Sequence, residues 1–294
     1  MECKLCKSQN LIVTYNGHIR NGSFGNLTQK EYNVYKCKDC GVIWHENSEC
    51  DYEKYYESEV YRMTLEKESN IENYYSLHDK ETLEKLTFTG TDIFRNKLVA
   101  DIGCGGGSFL DFVQGVAKQT IAIEPSKIYR KTLEERHHIT YAYSSNALND
   151  FAGEIDVITS FDVIEHVNNP FTFVDEVYKL LKPSGKIILG TPSDHPVLRE
   201  LLNTEFEQFI FSFQHPWVFS ESSLFLIFNK MGFKNICVEQ KQKYGIGNMI
   251  SWLMNHKPNG HVKYDFISET SNDLWKREIE NKKLGDYLVV YAQK

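Results

Sequence analysis

From residue 97 onward the chain alternates short apolar runs with helical patterns, and that rhythm admits few folds. Lys97–Gly103 (KLVADIG) predicts a strand and Ser108–Val116 a helix. Thr120–Glu124 (TIAIE) predicts a second strand, followed by a helix from Ser126. Ile139–Tyr143 reads as a weaker third strand, Ile155–Phe161 (IDVITSF) as a fourth and Lys186–Gly190 (KIILG) as a fifth. Between the last two, Pro170–Leu181 predicts a helix with proline in its first turn and Phe173, Val174, Val177, Leu180 and Leu181 on one face. Strands separated by helices in this way form a parallel sheet with helices on both faces, the α/β class. A further helix is expected over about 220–231, capped by Ser220 and stopped by Gly232. Asn235–Glu239 and Tyr287–Tyr291 then read as two closing strands. The stretch between them, about 244–284, is too long for a hairpin turn and is expected to form a partly helical insertion.

The first strand runs into Asp101-Ile102-Gly103-Cys104-Gly105-Gly106-Gly107. Glycines here let the backbone turn tightly and approach a ligand closely. Alone, such a loop serves a dinucleotide, a nucleotide or tight packing. Two details narrow it. Gly103, Gly105 and Gly107 alternate, unlike the G-x-G-x-x-G spacing of dinucleotide sites. An acid, Asp101, precedes the loop; it would repel a pyrophosphate but suits a cationic cofactor whose ammonium it holds through water. Glu124 ends the second strand, where a carboxylate can accept hydrogen bonds from two vicinal ribose hydroxyls.

These residues resemble the first motif and following acidic position of class I S-adenosylmethionine methyltransferases. The similarity continues through Ile155–Pro170 (IDVITSFDVIEHVNNP), Leu181–Gly185 (LKPSG), Gly190–Ser193 (GTPS) and His215–Phe233 (HPWVFSESSLFLIFNKMGF). The later motifs are similar to the subgroup with ubiquinone-biosynthesis O-methyltransferases and many sugar and small-metabolite methyltransferases. The resemblance implies a Rossmann-like sheet that binds S-adenosylmethionine through Asp101, Gly103, Cys104, Gly105, Gly107, Glu124 and Pro125. It also implies that Ser145, Asn146 and Ala147 contact adenine, and that Ser160, Phe161 and Asp162 border the methionine part.

Asp162, Glu165 and His166 stand at i, i+3 and i+4, near one face if the chain turns helical after Phe161. His166 beside a carboxylate would take a proton from a hydroxyl as the methyl group moves. As in related ubiquinone-pathway enzymes with a similar E-H-V pattern, the three could instead hold a divalent ion. A third reading has Glu165 and His166 merely tying the loop to the sheet. His215 is a second base candidate, read chiefly as a loop anchor; Asp194 and His195 stand at the active edge; His137 and His138 are expected to be solvated.

At the front, Cys3-x-x-Cys6 and Cys37-x-x-Cys40 form two CxxC knuckles, the spacing of a closed four-thiolate zinc site. With every position filled by protein, such a zinc is structural, and in so short a segment metal is expected to supply much of the folding energy. The chain thus divides into a zinc-ribbon-like module over 1–48, a helical linker and cofactor cover over 49–95 that carries Tyr55, Tyr56 and Tyr61, and a methyltransferase domain over 96–294 whose insertion at about 244–284 acts as a substrate lid.

The net charge of −7 disfavours a polyanionic partner. The favoured function is methyl transfer to a small molecule, at a hydroxyl of a sugar or related metabolite. An RNA methyltransferase gripping RNA through the zinc module is the alternative, and it lacks the basic, aromatic-studded face it needs. A non-catalytic cofactor-binding protein is a third reading. No run is long and apolar enough to span a bilayer and nothing resembles a signal peptide, so the expected location is the cytoplasm.

Overall fold

A computed structural model describes residues 1–46, 71–260 and 262–294. Tyr55, Tyr56, Tyr61 and Cys50 lie outside the described residues, as does the first part of the expected linker, up to residue 70. The chain forms two compact units. One contains the described parts of Ser48–Gly190, Ile227–Cys237 and Val290–Lys294, the other Met1–Asn47, Thr191–Leu226 and Val238–Val289.

The strands number β1 Leu11–Arg20, β2 Leu27–Cys37, β3 Ile43–His45, β4 Leu98–Ile102, β5 Gln119–Ile123, β6 Ile139–Tyr141, β7 Ile155–Phe161, β8 Leu181–Pro192, β9 Trp217–Val218, β10 Lys234–Lys241 and β11 Tyr287–Gln293. Seven of them form a sheet in the order β10-β11-β8-β7-β4-β5-β6. Pairing is parallel between β4 and β5, β5 and β6, β4 and β7, and β7 and β8. This is the α/β sheet that the alternation predicts. The strand order reverses at β4, which lies between β5 and β7. Open sheets of this kind bind ligands at such a switch, beyond the carboxyl ends of the strands.

Helices α1 Ile71–Thr89, α2 Ser108–Gln114, α3 Lys127–Glu135, α4 Ser144–Phe151 and α5 Pro170–Leu180 belong to the first unit. In α5 the proline starts the helix and Asn169 caps it, its Oδ1 accepting from Phe171 N–H at 2.9 Å. Phe173, Val174, Val177 and Leu180 are buried on one stripe, as their spacing requires. The fifth strand begins earlier than its apolar run suggests. Leu181 pairs with Ile155 and Lys186 with Val157, so residues 182–185 form an irregularity within one strand.

In the second unit, β1, β2, β3 and β9 form an antiparallel sheet. The Asn21–Asn26 loop closes between β1 and β2, with Asn21 N–H bonded to Asn26 O at 2.9 Å. Helices α6 Pro196–Leu202 and α7 Thr204–Ile210 follow β8, and α8 Glu221–Lys230 starts where Ser220 Oγ accepts from Ser223 N–H at 3.1 Å. The insertion is helical over α9 Ile246–Asn255 and α10 Glu269–Asn281. Tyr15, Ile19, Val34 and Ile43 share one buried core with Phe206, Phe211, Val218 and Trp252. The cysteine-bearing segment therefore has apolar support that its own length does not suggest. No described helix is long and apolar enough to cross a membrane.

Candidate functional site

The glycine loop begins where β4 ends. Gly103 has φ +74°, Gly105 φ +55° and Gly107 φ +85°, all left-handed conformations that favour glycine. At Gly103 a Cβ would also run into the side chain of Val163. The Gly103 N–H donates to Ile123 O at 2.7 Å, which draws the loop against the end of β5. There Glu124 is buried: its Oε2 accepts from Gly105 N–H and its Oε1 from Ser126 N–H, each at 2.9 Å. A carboxylate offers about four acceptor positions.

Beyond these strand ends lies a cavity of about 410 Å³, within the range of small-molecule sites. Of the residues expected from sequence to touch a cofactor, Gly103, Glu124, Pro125 and Asp162 line it. Cys104, Gly105 and Gly107 form the loop behind the lining. Ser160 Oγ donates to Ile102 O at 3.1 Å inside the sheet, and Phe161 packs on Phe109 with ring centroids 5.3 Å apart. After β6 the lining comes from Tyr143, Ser144 and Ser145. Asn146 and Ala147 are already in α4: Ala147 is buried, and Asn146 Oδ1 accepts from Tyr143 N–H at 3.1 Å. Thr172 and Glu176, one helical turn apart on α5, also line the cavity. Their i, i+4 spacing was readable, but the apolar stripe alone does not reveal the polar edge beside it.

Asp101 is buried in β4 behind the lining, and Thr159 Oγ1 donates to its Oδ1 at 2.7 Å. Burial raises its pKa from 3.8 to about 7; the Thr159 bond and the charge of Lys85 oppose the rise, while Glu124 adds to it.

Asp162 follows β7 directly with φ +59°, an uncommon conformation for a residue with a side chain. Ile164–His166 make a single 3-10 turn. Asp162 and His166 both line the cavity, whereas Glu165 is buried at 2% exposure and does not. Among the described residues, the four cysteines are the one set of three or more His, Cys, Asp or Glu ligand atoms close enough to share a metal. Asp162, Glu165 and His166 do not gather into such a set, so the divalent-ion reading lacks its ligand cluster. His138 also corrects expectation. It is buried, with Nδ1 2.6 Å from Thr120 Oγ1 and Nε2 2.9 Å from Asp111 Oδ1, while His137 is exposed. His215 sits in the other unit, its N–H bonded to Ser212 O at 2.9 Å.

Cys3, Cys6, Cys37 and Cys40 place all four Sγ atoms within 4.8 Å of one another. Cys3 and Cys40 Sγ are 3.6 Å apart, Cys6 and Cys37 Sγ 3.5 Å. Disulfides need about 2.05 Å. A tetrahedron with Zn–S bonds of about 2.3 Å has edges of roughly 3.8 Å, so this donor set fits the ion.

The parallel sheet, its switch at β4 and the cavity at the glycine loop define a Rossmann-like methyltransferase fold. A methyltransferase domain family matches residues 74–238, more than half of the chain, and the chain belongs to that family. It is similar to the ubiquinone biosynthesis O-methyltransferase of Psychrobacter cryohalolentis, 28% identical over 142 residues, which covers 44% of this chain and 51% of that protein. The corresponding protein of Actinobacillus pleuropneumoniae is 32% identical over 107 residues, covering 32% and 45%. The chain thus spans about half the length of the curated relatives it matches. The fold is shared with a SAM-dependent methyltransferase from Archaeoglobus fulgidus, with TM-score 0.50, 18% identity and coverage of 75% of this chain and 99% of that one. It is shared too with phosphoethanolamine N-methyltransferase 2 of Haemonchus contortus in complex with S-adenosyl-L-methionine, with TM-score 0.53, 16% identity and coverage of 86% and 63%.

Proposed function

We propose that this protein transfers a methyl group from S-adenosylmethionine to a hydroxyl of a small acceptor, a sugar or related metabolite. The observation that carries this reading is the cavity that opens at Gly103 with the buried Glu124 carboxylate in its wall. Family membership supports it, and so does the likeness to O-methyltransferases.

In this reading Glu124 accepts hydrogen bonds from the ribose hydroxyls and the loop through Gly105 and Gly107 supplies close backbone contact. Ser144 and Ser145 stand where adenine is expected. Asp101 holds the ammonium through water from behind the loop. The bound cofactor supplies an electrophilic methyl group, so alignment and exclusion of water carry much of the rate. His166, with Asp162 on the same cavity wall, takes the acceptor's proton. Zinc held by Cys3, Cys6, Cys37 and Cys40 has no open ligand position and serves the fold of its unit.

Calorimetry with S-adenosylmethionine tests the core of this proposal. Saturable binding is expected; no binding at millimolar cofactor would sink it.

A further inference from the structure

The glycine loop is held by side chains of the first unit that do not themselves line the cavity. Arg136, directly after α3, is their centre. Its Nη2 donates to Gly106 O at 2.5 Å, its Nη1 to Asp111 Oδ2 on α2, and its Nε to Thr132 O at 3.1 Å. The planar guanidinium thus reaches three acceptors, which the point charge of a lysine does not replace. Asp111 is held in turn: its Oδ1 accepts from His138 Nε2 at 2.9 Å, and His138 Nδ1 lies 2.6 Å from the Thr120 hydroxyl on β5. From α1, Tyr75 Oη donates to the same Gly106 O at 3.2 Å, and its ring centre lies 5.3 Å from the guanidinium carbon. Tyr74 Oη donates to Cys104 O at 3.3 Å.

These bonds act where the backbone is least restrained by itself, because glycine populates many conformations. At Gly106 a Cβ would stand 2.6 Å from the Tyr74 ring, so the loop packs directly on α1. The peptide unit is planar, so holding Gly106 O orients the whole Gly106–Gly107 unit. Gly107 N–H donates to Cys104 O at 2.9 Å, which closes the turn. On the other side of Gly106 stands the contact that reaches the cavity: Gly105 N–H donates to Oε2 of Glu124, a residue of the cavity wall.

We propose that Arg136 is a positioning residue for the cofactor: by holding Gly106 O it presents Gly105 N–H to Glu124 and so aims that carboxylate at the ribose hydroxyls. Asp111 and His138 fix Arg136 in place. The inference rests on the cofactor reading above and deepens it. A role confined to stability leaves the relative affinities of different ligands unchanged. A positioning role weakens the ribose contact selectively.

The test uses the full chain and calorimetry with S-adenosylhomocysteine and its 2′-deoxyribose analogue. The wild-type protein is expected to favour the ribose form by about tenfold or more, the worth of a hydrogen bond to a charged acceptor. Arg136→Met keeps an unbranched stem and Arg136→Lys keeps the charge. Each variant, shown to be folded by thermal melting, is expected to lower that preference by about threefold or more, as coupled neighbours do. An unchanged preference in a folded variant overturns the proposal, whatever the overall affinity. If one variant fails to fold, the other decides; if both fail, Arg136 holds the fold and not the loop, and the proposal is overturned. Equal binding of the two ligands by the wild-type protein overturns it as well. Absent binding of either ligand by the wild-type protein removes the methyltransferase proposal itself, whereas intact binding with an unchanged preference in the variants removes only the role of Arg136.

Discussion

The Gly105 amide donates a 2.9 Å hydrogen bond to the Glu124 carboxylate, so the acid that ends one strand's turn also shapes the loop that ends its neighbour. Glu124 accepts from Ser126 N–H with its other oxygen. A glutamine keeps one acceptor oxygen and turns an NH₂ group on the second donor. Glu124→Gln is therefore expected to cost about 1–3 kcal/mol of stability, the penalty of an orphaned buried donor. It also removes an acceptor for a ribose hydroxyl, so the proposed cofactor role predicts at least a tenfold loss of affinity. Calorimetry with S-adenosylmethionine measures this; wild-type affinity in the folded variant would reject the role.

Gly103 combines two demands, a left-handed φ of +74° and no room beside Val163. Gly103→Ala is expected to lower the thermal midpoint on both counts. Adding Val163→Ala relieves the clash and leaves the backbone strain, on the order of 1 kcal/mol. Partial recovery in the double variant is the expected result. Full recovery would show that strain at Gly103 is negligible, and no recovery that Val163 is not the obstacle.

The central strands were legible because buried parallel strands are short apolar runs, and glycine or proline marks their ends. The loop at Gly103, the acid at Glu124 and the group at Asp162 and His166 were legible because they sit at those ends. Long-range pairing left no local trace. Trp217 and Val218 complete the sheet of the cysteine-bearing unit from far along the chain, and His138 is buried by partners at Thr120 and Asp111. Asn146 reads as a ligand contact until the helix start at Ser144 turns it into a cap. Thr172 and Glu176 face the cavity through the rotation of α5, which its apolar stripe sets only to within a residue or so.

The four thiols predict one zinc ion per chain, measured by elemental analysis of purified protein. Cys40→Ser is expected to lose most of it. Since Tyr15, Ile19, Val34 and Ile43 pack with Phe206 and Trp252, the metal is not the sole support of this segment. Chelation should therefore lower the melting temperature by several degrees and leave a folded protein. Complete unfolding on chelation would show that the shared core contributes little, and absence of stoichiometric zinc would remove the metal altogether.

Asp101 ties stability to pH. Its folded pKa of about 7 lies above the ordinary 3.8 because burial penalises the carboxylate. The folded state thus holds the proton more tightly than the unfolded chain. This contribution is complete below about pH 4 and is lost as pH rises through 7. At about 1.4 kcal/mol per unit, the full span is roughly 4 kcal/mol. Asp101→Asn keeps an acceptor for Thr159 and has no charge to bury. His195 and Asp286, which also titrate abnormally, are common to both proteins and cancel in the comparison. Urea unfolding at pH 5 and pH 8 is expected to show the variant gaining on the wild type by a few kcal/mol at the higher pH. A gap that does not change with pH would mean that Asp101 ionises normally in the folded protein. Bound S-adenosylmethionine should narrow the gap, since a nearby ammonium favours the ionised acid.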